Sequence, residues 1–128
     1  MSISERHSRF DAWLSGEYER RGDFTMMVVL VDVADTRIEL LRSTFMNVIG
    51  DETRWVELRE LLSSSGVAWN AAAFFPVSAF FNGPVPNEIA RSELRDLETR
   101  LREDRQVLNE GHFFDRKGRR LKVDEIRH

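Results

Sequence analysis

Apolar residues fall along this chain in blocks whose spacing changes from helical to strand-like and back. In the first block, Ile3, His7, Phe10, Trp13, Leu14 and Tyr18 recur mostly at three- and four-residue intervals. That spacing predicts an amphipathic helix over residues 2–21, with Ser2 and Glu5 at capping-box distance and Gly22 as its stop. Residues 25–33 (TMMVVLVDV) are apolar and β-branched without alternation. Such a run reads as a strand covered on both faces, the anchor of the fold.

Beyond it, Asp35 is placed to cap a helix carrying Ile38, Leu41, Phe45, Val48 and Ile49 on one face. Gly50 and Asp51 break the chain and restart it as a helix to about Leu62, with Trp55, Leu58, Leu61 and Leu62 on its narrow apolar stripe. Residues 67–75 (VAWNAAAFF) predict a second buried strand, closed by Pro76. Val67, Trp69, Ala71, Ala73 and Phe75 would then share one face. Residues 78–86 read as a loop carrying Phe80 and Phe81. Asn87 is placed to cap the longest helix, residues 88–109, about 33 Å long. Residues 112–123 predict a hairpin turning at Asp115-Arg116-Lys117-Gly118.

The order helix, strand, helix, helix, strand, helix, hairpin predicts one α/β domain over residues 1–128, with α+β as the alternative class. A right-handed crossover over the two middle helices would set the buried strands parallel. The C-terminal β-hairpin would then complete a small mixed sheet of about four strands.

Composition narrows the function more than it identifies it. At 128 residues the chain suits a single core, and nine Phe with three Trp can fill one. The formal net charge of −3 argues against a general binder of nucleic acid or anionic membrane. With no cysteine there is no disulfide, thiolate metal site or Cys nucleophile. The first nine residues lack the apolar core of a secretory signal, and the longest apolar run, residues 26–31, is too short to cross a bilayer. These features together predict a cytoplasmic chain.

Candidate chemistry is sparse. Asp32 and Asp35 close the first strand, where ligands of open α/β sheets gather, and Asn82 sits in the aromatic loop. These three are the candidate ligand-binding residues, although cap and strand-end roles explain the aspartates equally well. His7, His112 and His128 have no metal-site spacing, so no metal is expected. The isolated glycines form no phosphate-binding loop, and there is no G-x-S-x-G elbow, so no cofactor is expected either. Residues 116–122 hold five basic residues in seven, which read as a solvated hairpin tip more readily than as a nucleic-acid contact.

The remaining signal is the stripe Leu94, Leu97, Leu101 and Leu108 on the long helix, in heptad register with Asp104 between. Packing on the sheet accounts for it. An overhanging end would make it an association surface. The composite expectation is a non-catalytic domain acting as a homo-oligomer or by binding a protein partner. The alternative is an enzyme or small-ligand binder using Asp32, Asp35 and Asn82.

Overall fold

The computed structural model describes residues 9–35, 37–79 and 83–123. Its elements are α1 (Arg9–Arg21), β1 (Phe24–Val33), β2 (Ile38–Val48), α2 (Trp55–Ser63), β3 (Ala71–Val77), α3 (Asn87–Glu103), a 3-10 helix (Arg105–Glu110) and β4 (His112–Asp115). Helices thus accompany a four-stranded sheet ordered β2-β1-β3-β4. Each neighbouring pair is antiparallel.

The predicted helix and sheet class and strand count hold, but two pairings differ from the expectation of a mixed sheet. Residues 38–48 are a strand hairpinned onto β1, not a helix. Because β2 returns alongside β1, the crossover through α2 joins β2 to β3 past β1, and β3 lies antiparallel to β1. The reason lies in a bulge. The register shifts between Leu30 and Val31, so that Leu41 and Arg42 together oppose Leu30. That extra residue interrupts the period-2 alternation and leaves apolar positions 38, 41, 45 and 48 at helix-like intervals. Asp35 consequently sits in the β-hairpin bend, where Ala34 N–H donates to the Arg37 carbonyl (2.9 Å), and starts no helix.

β1 is buried on both faces, as its unbroken apolar run requires. Beneath the sheet, Met26, Val28, Leu30, Ala72, Phe74 and Phe114 meet Phe10, Trp13 and Leu14 of α1 and Trp55, Leu58 and Leu62 of α2. Above it, Met27, Val29, Val31, Ala73, Phe75 and Phe113 meet Leu97 and Leu101 of α3 and Val107 and Leu108 of the 3-10 helix. The result is a three-layer sandwich.

The lower layer is tied together by a carboxylate. Asp11, on α1, accepts from the Trp55 backbone N–H at 2.6 Å and so caps α2 from another helix. The helix does not restart at Asp51: its N-cap residue is Arg54, which makes no side-chain cap bond. Leu61, expected on the buried stripe, is 57% exposed.

Three further boundaries differ. The second strand starts at Ala71, because Asn70 turns the chain there. Its side chain accepts from Val33 N–H (2.7 Å) and donates to the Val33 carbonyl and to Asp32. Trp69 therefore joins the lower core, while Ala71 joins the upper. Pro76 lies inside β3 opposite Met26, beyond the last β4 pair at Phe74, where no ladder bond to β4 is lost. The long helix stops at Glu103. Asp104 is extended, and its side chain accepts from Gln106 N–H to start the 3-10 helix. Seventeen helical residues span about 25 Å. The N-terminal helix is described from Arg9; Ser2, Ile3, Glu5 and His7 lie outside the described residues.

Candidate functional site

Two of the three residues singled out for ligand binding, Asp32 and Asp35, lie among the described residues. Asp32 is half-buried and accepts from Asn70 Nδ2 at 3.0 Å. Asp35 is exposed at the hairpin tip, and Asn82 lies outside the described residues. Neither of the two grooves along β2 is lined by Asp32 or Asp35.

The leucine stripe is spent inside the molecule. Leu97, Leu101 and Leu108 are buried in the upper core, and Leu94 packs against it. The sheet claims that face first, because it offers an apolar surface on the same chain. Nothing of the stripe overhangs, since the helix ends at Glu103.

The basic hairpin is likewise committed to the fold. The Arg116 guanidinium donates to the Trp69 carbonyl and Ser63 Oγ and lies 4.4 Å from the Trp69 ring centre. Arg119 pairs with Asp115 (2.7 Å), and Arg120 sits over Phe114. Burial alone would raise the Asp115 pKa, but hydrogen bonds from Arg119 and from Lys117 N–H outweigh it and hold it low.

His112 stacks on Trp13, with ring centres 4.5 Å apart, and its Nδ1 lies 3.1 Å from Arg120 Nη1. Burial, then the Arg120 charge, lower its pKa. Its neighbour Glu17 is buried and pairs with Arg20 and Arg21. Burial pushes the Glu17 carboxyl up, and the Arg21 and Arg20 contacts pull it below its ordinary value. This cluster joins α1 to β4. Among the described residues no group of three His, Cys, Asp or Glu side chains could hold a metal ion.

What the described residues leave open is the outer edge of β2. At the opposite side of the sheet, β4 is covered by its own return: Asp115 N–H donates to Arg119 O, and Leu121 N–H donates to Phe113 O at 2.8 Å. β2 has no returning strand along its eleven residues, among the described residues, although its outward Ile38 carbonyl accepts from Arg105 Nε. Which of its groups face outward follows from the ladder. Ala34 pairs with Arg37 across the hairpin, while Val33 N–H and Val31 C=O turn toward the β3 side. In an antiparallel ladder the alternation then points the backbone groups of Ile38 and Leu40 outward. Past the bulge the same holds for Ser43, Phe45 and Asn47.

A groove flanks this edge on each face. The upper one, about 360 Å³, runs between β2 and α3 past Glu39, Arg42, Ser43, Glu98, Arg102 and Arg105. Charges are ordered along it. Ser43 Oγ donates to Glu98, and seven residues further on Arg105 Nε donates to the Ile38 carbonyl at 2.9 Å. The lower one, about 280 Å³, lies between β2 and α2 and includes Met46, Val48, Leu58 and Leu61. Ile49 and Val56, beside it in sequence, are 62% and 55% exposed.

Sequence reasoning missed this edge because it read residues 38–48 as a helix. The available signal was the apolar richness of residues 38–48 on both sides of Arg42, more than a solvent-facing helix needs. The chain matches no family model, no curated protein and no solved structure. Among the described residues no helix is long and apolar enough to cross a membrane.

Proposed function

We propose that this chain is a protein-association module that adds a partner strand to the edge of β2. The observation that carries this reading is the open eleven-residue edge, with apolar side chains on both faces. Natural sheets shield such edges with charges, prolines or a covering loop, because an open edge templates pairing with another chain. Here the strand interior has two charged residues, Glu39 and Arg42, and no proline. Main-chain hydrogen bonds would supply affinity, and the flanking grooves would supply selectivity. A cysteine-free chain of this kind suits a reducing cytoplasm.

The test is site-specific photocrosslinking in cells that express the chain. A benzophenone side chain at the exposed Thr44 on β2 should give discrete adducts that the additional substitution Ser43→Pro removes, since Pro deletes an outward N–H. The same probe at the exposed Arg91 on α3 should give none. Absence of adducts from Thr44, or equal adducts from both sites, overturns the reading.

A further inference from the structure

We infer that the strand added to β2 is the β2 of a second copy, running antiparallel about a two-fold axis at Leu40. This rests on β2 being the association edge, and it names the partner. The argument is charge complementarity. A two-fold axis perpendicular to the sheet keeps upper face with upper face, so opposing residues must share a face.

With the axis on Leu40, each strand's bulge pair Leu41 and Arg42 falls opposite Glu39 of the partner. The two charged residues of the strand then face each other twice, and opposite charges at cross-strand positions attract. Arg42 spends one Nη1 on the Ser65 carbonyl (2.8 Å) and keeps its other donors for this contact. The next pair out is Ile38 with Ser43, both with outward backbone groups; the Ile38 carbonyl, which accepts from Arg105, keeps a second lone pair for the partner's Ser43 N–H, so the ladder's alternation is met at the axis and beyond it.

The upper groove agrees. Glu98 stands at Ser43, and Arg105 stands at Ile38 with Arg102 in the same groove. Bringing Ser43 opposite the partner's Ile38 sets each Glu98 against the arginine end of the other copy. α3 packs over β2 and β1. With strands about 4.8 Å apart, a helix over the β1–β2 pair lies about 10 Å from its two-fold mate, a packing distance for helices. An axis on Ser43 fails on the same criteria. It opposes the two Glu98 carboxylates to each other, and it sets Glu39 against Met46.

The chain has no cysteine, so single substitutions report the register cleanly. Leu40→Cys places two thiols across a hydrogen-bonded pair, with Cα atoms about 5.5 Å apart, within disulfide reach. Ser43→Cys places them about 14 Å apart. Purified wild type should sediment as a dimer at high concentration, and under mild oxidation Leu40→Cys should form a covalent dimer while Ser43→Cys does not. Glu39→Arg and Arg42→Glu should each weaken dimerisation about tenfold, because each change acts twice across the axis. The double exchange should restore it to within about threefold.

A dimer that links through Ser43→Cys, or that the double exchange leaves as weak as the single variants, overturns the Leu40 axis and leaves strand addition at β2 standing. A purified chain that stays monomeric overturns the second copy as occupant. If adducts from Thr44 in cells then have a mass other than twice the chain's, strand addition stands with a different partner. If Thr44 gives none, both fall.

Discussion

Replacing Asp11 by Ala removes the side-chain cap that α2 receives from α1, and its cost can be worked from contacts. Asp11 Oδ1 lies 2.6 Å from the Trp55 backbone nitrogen, and both residues are buried, at 5% and 2% exposure. A hydrogen bond to a charged acceptor contributes about 1.5–3 kcal/mol. The freed N–H of Trp55 would have no water within reach, so the cost falls in the upper part of that range, about 2–3 kcal/mol. The helix dipole adds in the same direction, because the carboxylate stands at the positive end of α2. Unfolding 128 residues releases about 0.27 kcal/mol/K of entropy, so the melting temperature should fall by about 7–11 °C. Asp11→Asn keeps an acceptor oxygen and loses only the charge, so it should fall by about half as much. Thermal melts followed by circular dichroism give both numbers. A fall below 3 °C for Asp11→Ala would refute the cross-helix cap.

The remaining predictions concern acid and glycine. His112 has a folded pKa below its ordinary 6.5, so the unfolded chain binds the extra proton first and stability declines as pH falls through that value. Glu17 and Asp115, lowered from 4.5 and 3.8, contribute stability that is lost at still lower pH. Denaturant titrations from about pH 7 to about pH 3 should therefore fall in two stages, and His112→Phe, which keeps the stack on Trp13, should flatten only the first. A first stage unchanged in His112→Phe would refute the assignment. At Gly111 a Cβ would stand 2.7 Å from the Phe74 carbonyl oxygen and the Phe75 ring, so Gly111→Ala should cost about 1–3 kcal/mol. At Gly16, inside α1, the nearest atom to an added Cβ is Arg20 Nη1 at 3.7 Å, so Gly16→Ala should gain about 0.4–1 kcal/mol. Equal effects at the two sites would contradict the packing described.

The parts of the fold legible in the sequence were those with one dominant period. β1 declared itself because both its faces are buried, and α1 and α2 because each has a single apolar stripe. The hairpin at Asp115–Gly118 was legible from its turn residues, and Gly118 takes the expected positive φ of 76°. β2 was not legible, for two physical reasons. The bulge at Leu41 and Arg42 shifts its alternation, and the hairpin joining it to β1 lacks the Asn-Gly or Asp-Gly signal of a tight turn. The break at Asp104 was hidden by leucines that stay in register through a change from α to 3-10 geometry. Caps supplied from distant elements, such as Asp11 on Trp55, carry no local spacing at all. The candidate site followed the same division: Asp32 is held by Asn70, Asp35 lies in the hairpin bend and Asn82 lies outside the described residues, while the open edge lay within the segment assigned the wrong period.

Amide hydrogen exchange on β2 tests the account most directly. The amides of Leu40, Ser43 and Phe45 point away from β1, whereas those of Thr44 and Met46 point into its ladder. At low concentration only the second set should be protected. Raising the protein concentration should protect Leu40 and Ser43 as well, and Ser43→Pro should abolish the protection at Leu40. Outward amides that exchange freely at every concentration, while Thr44 and Met46 remain protected, would show that this edge pairs with no second copy and contradict the account.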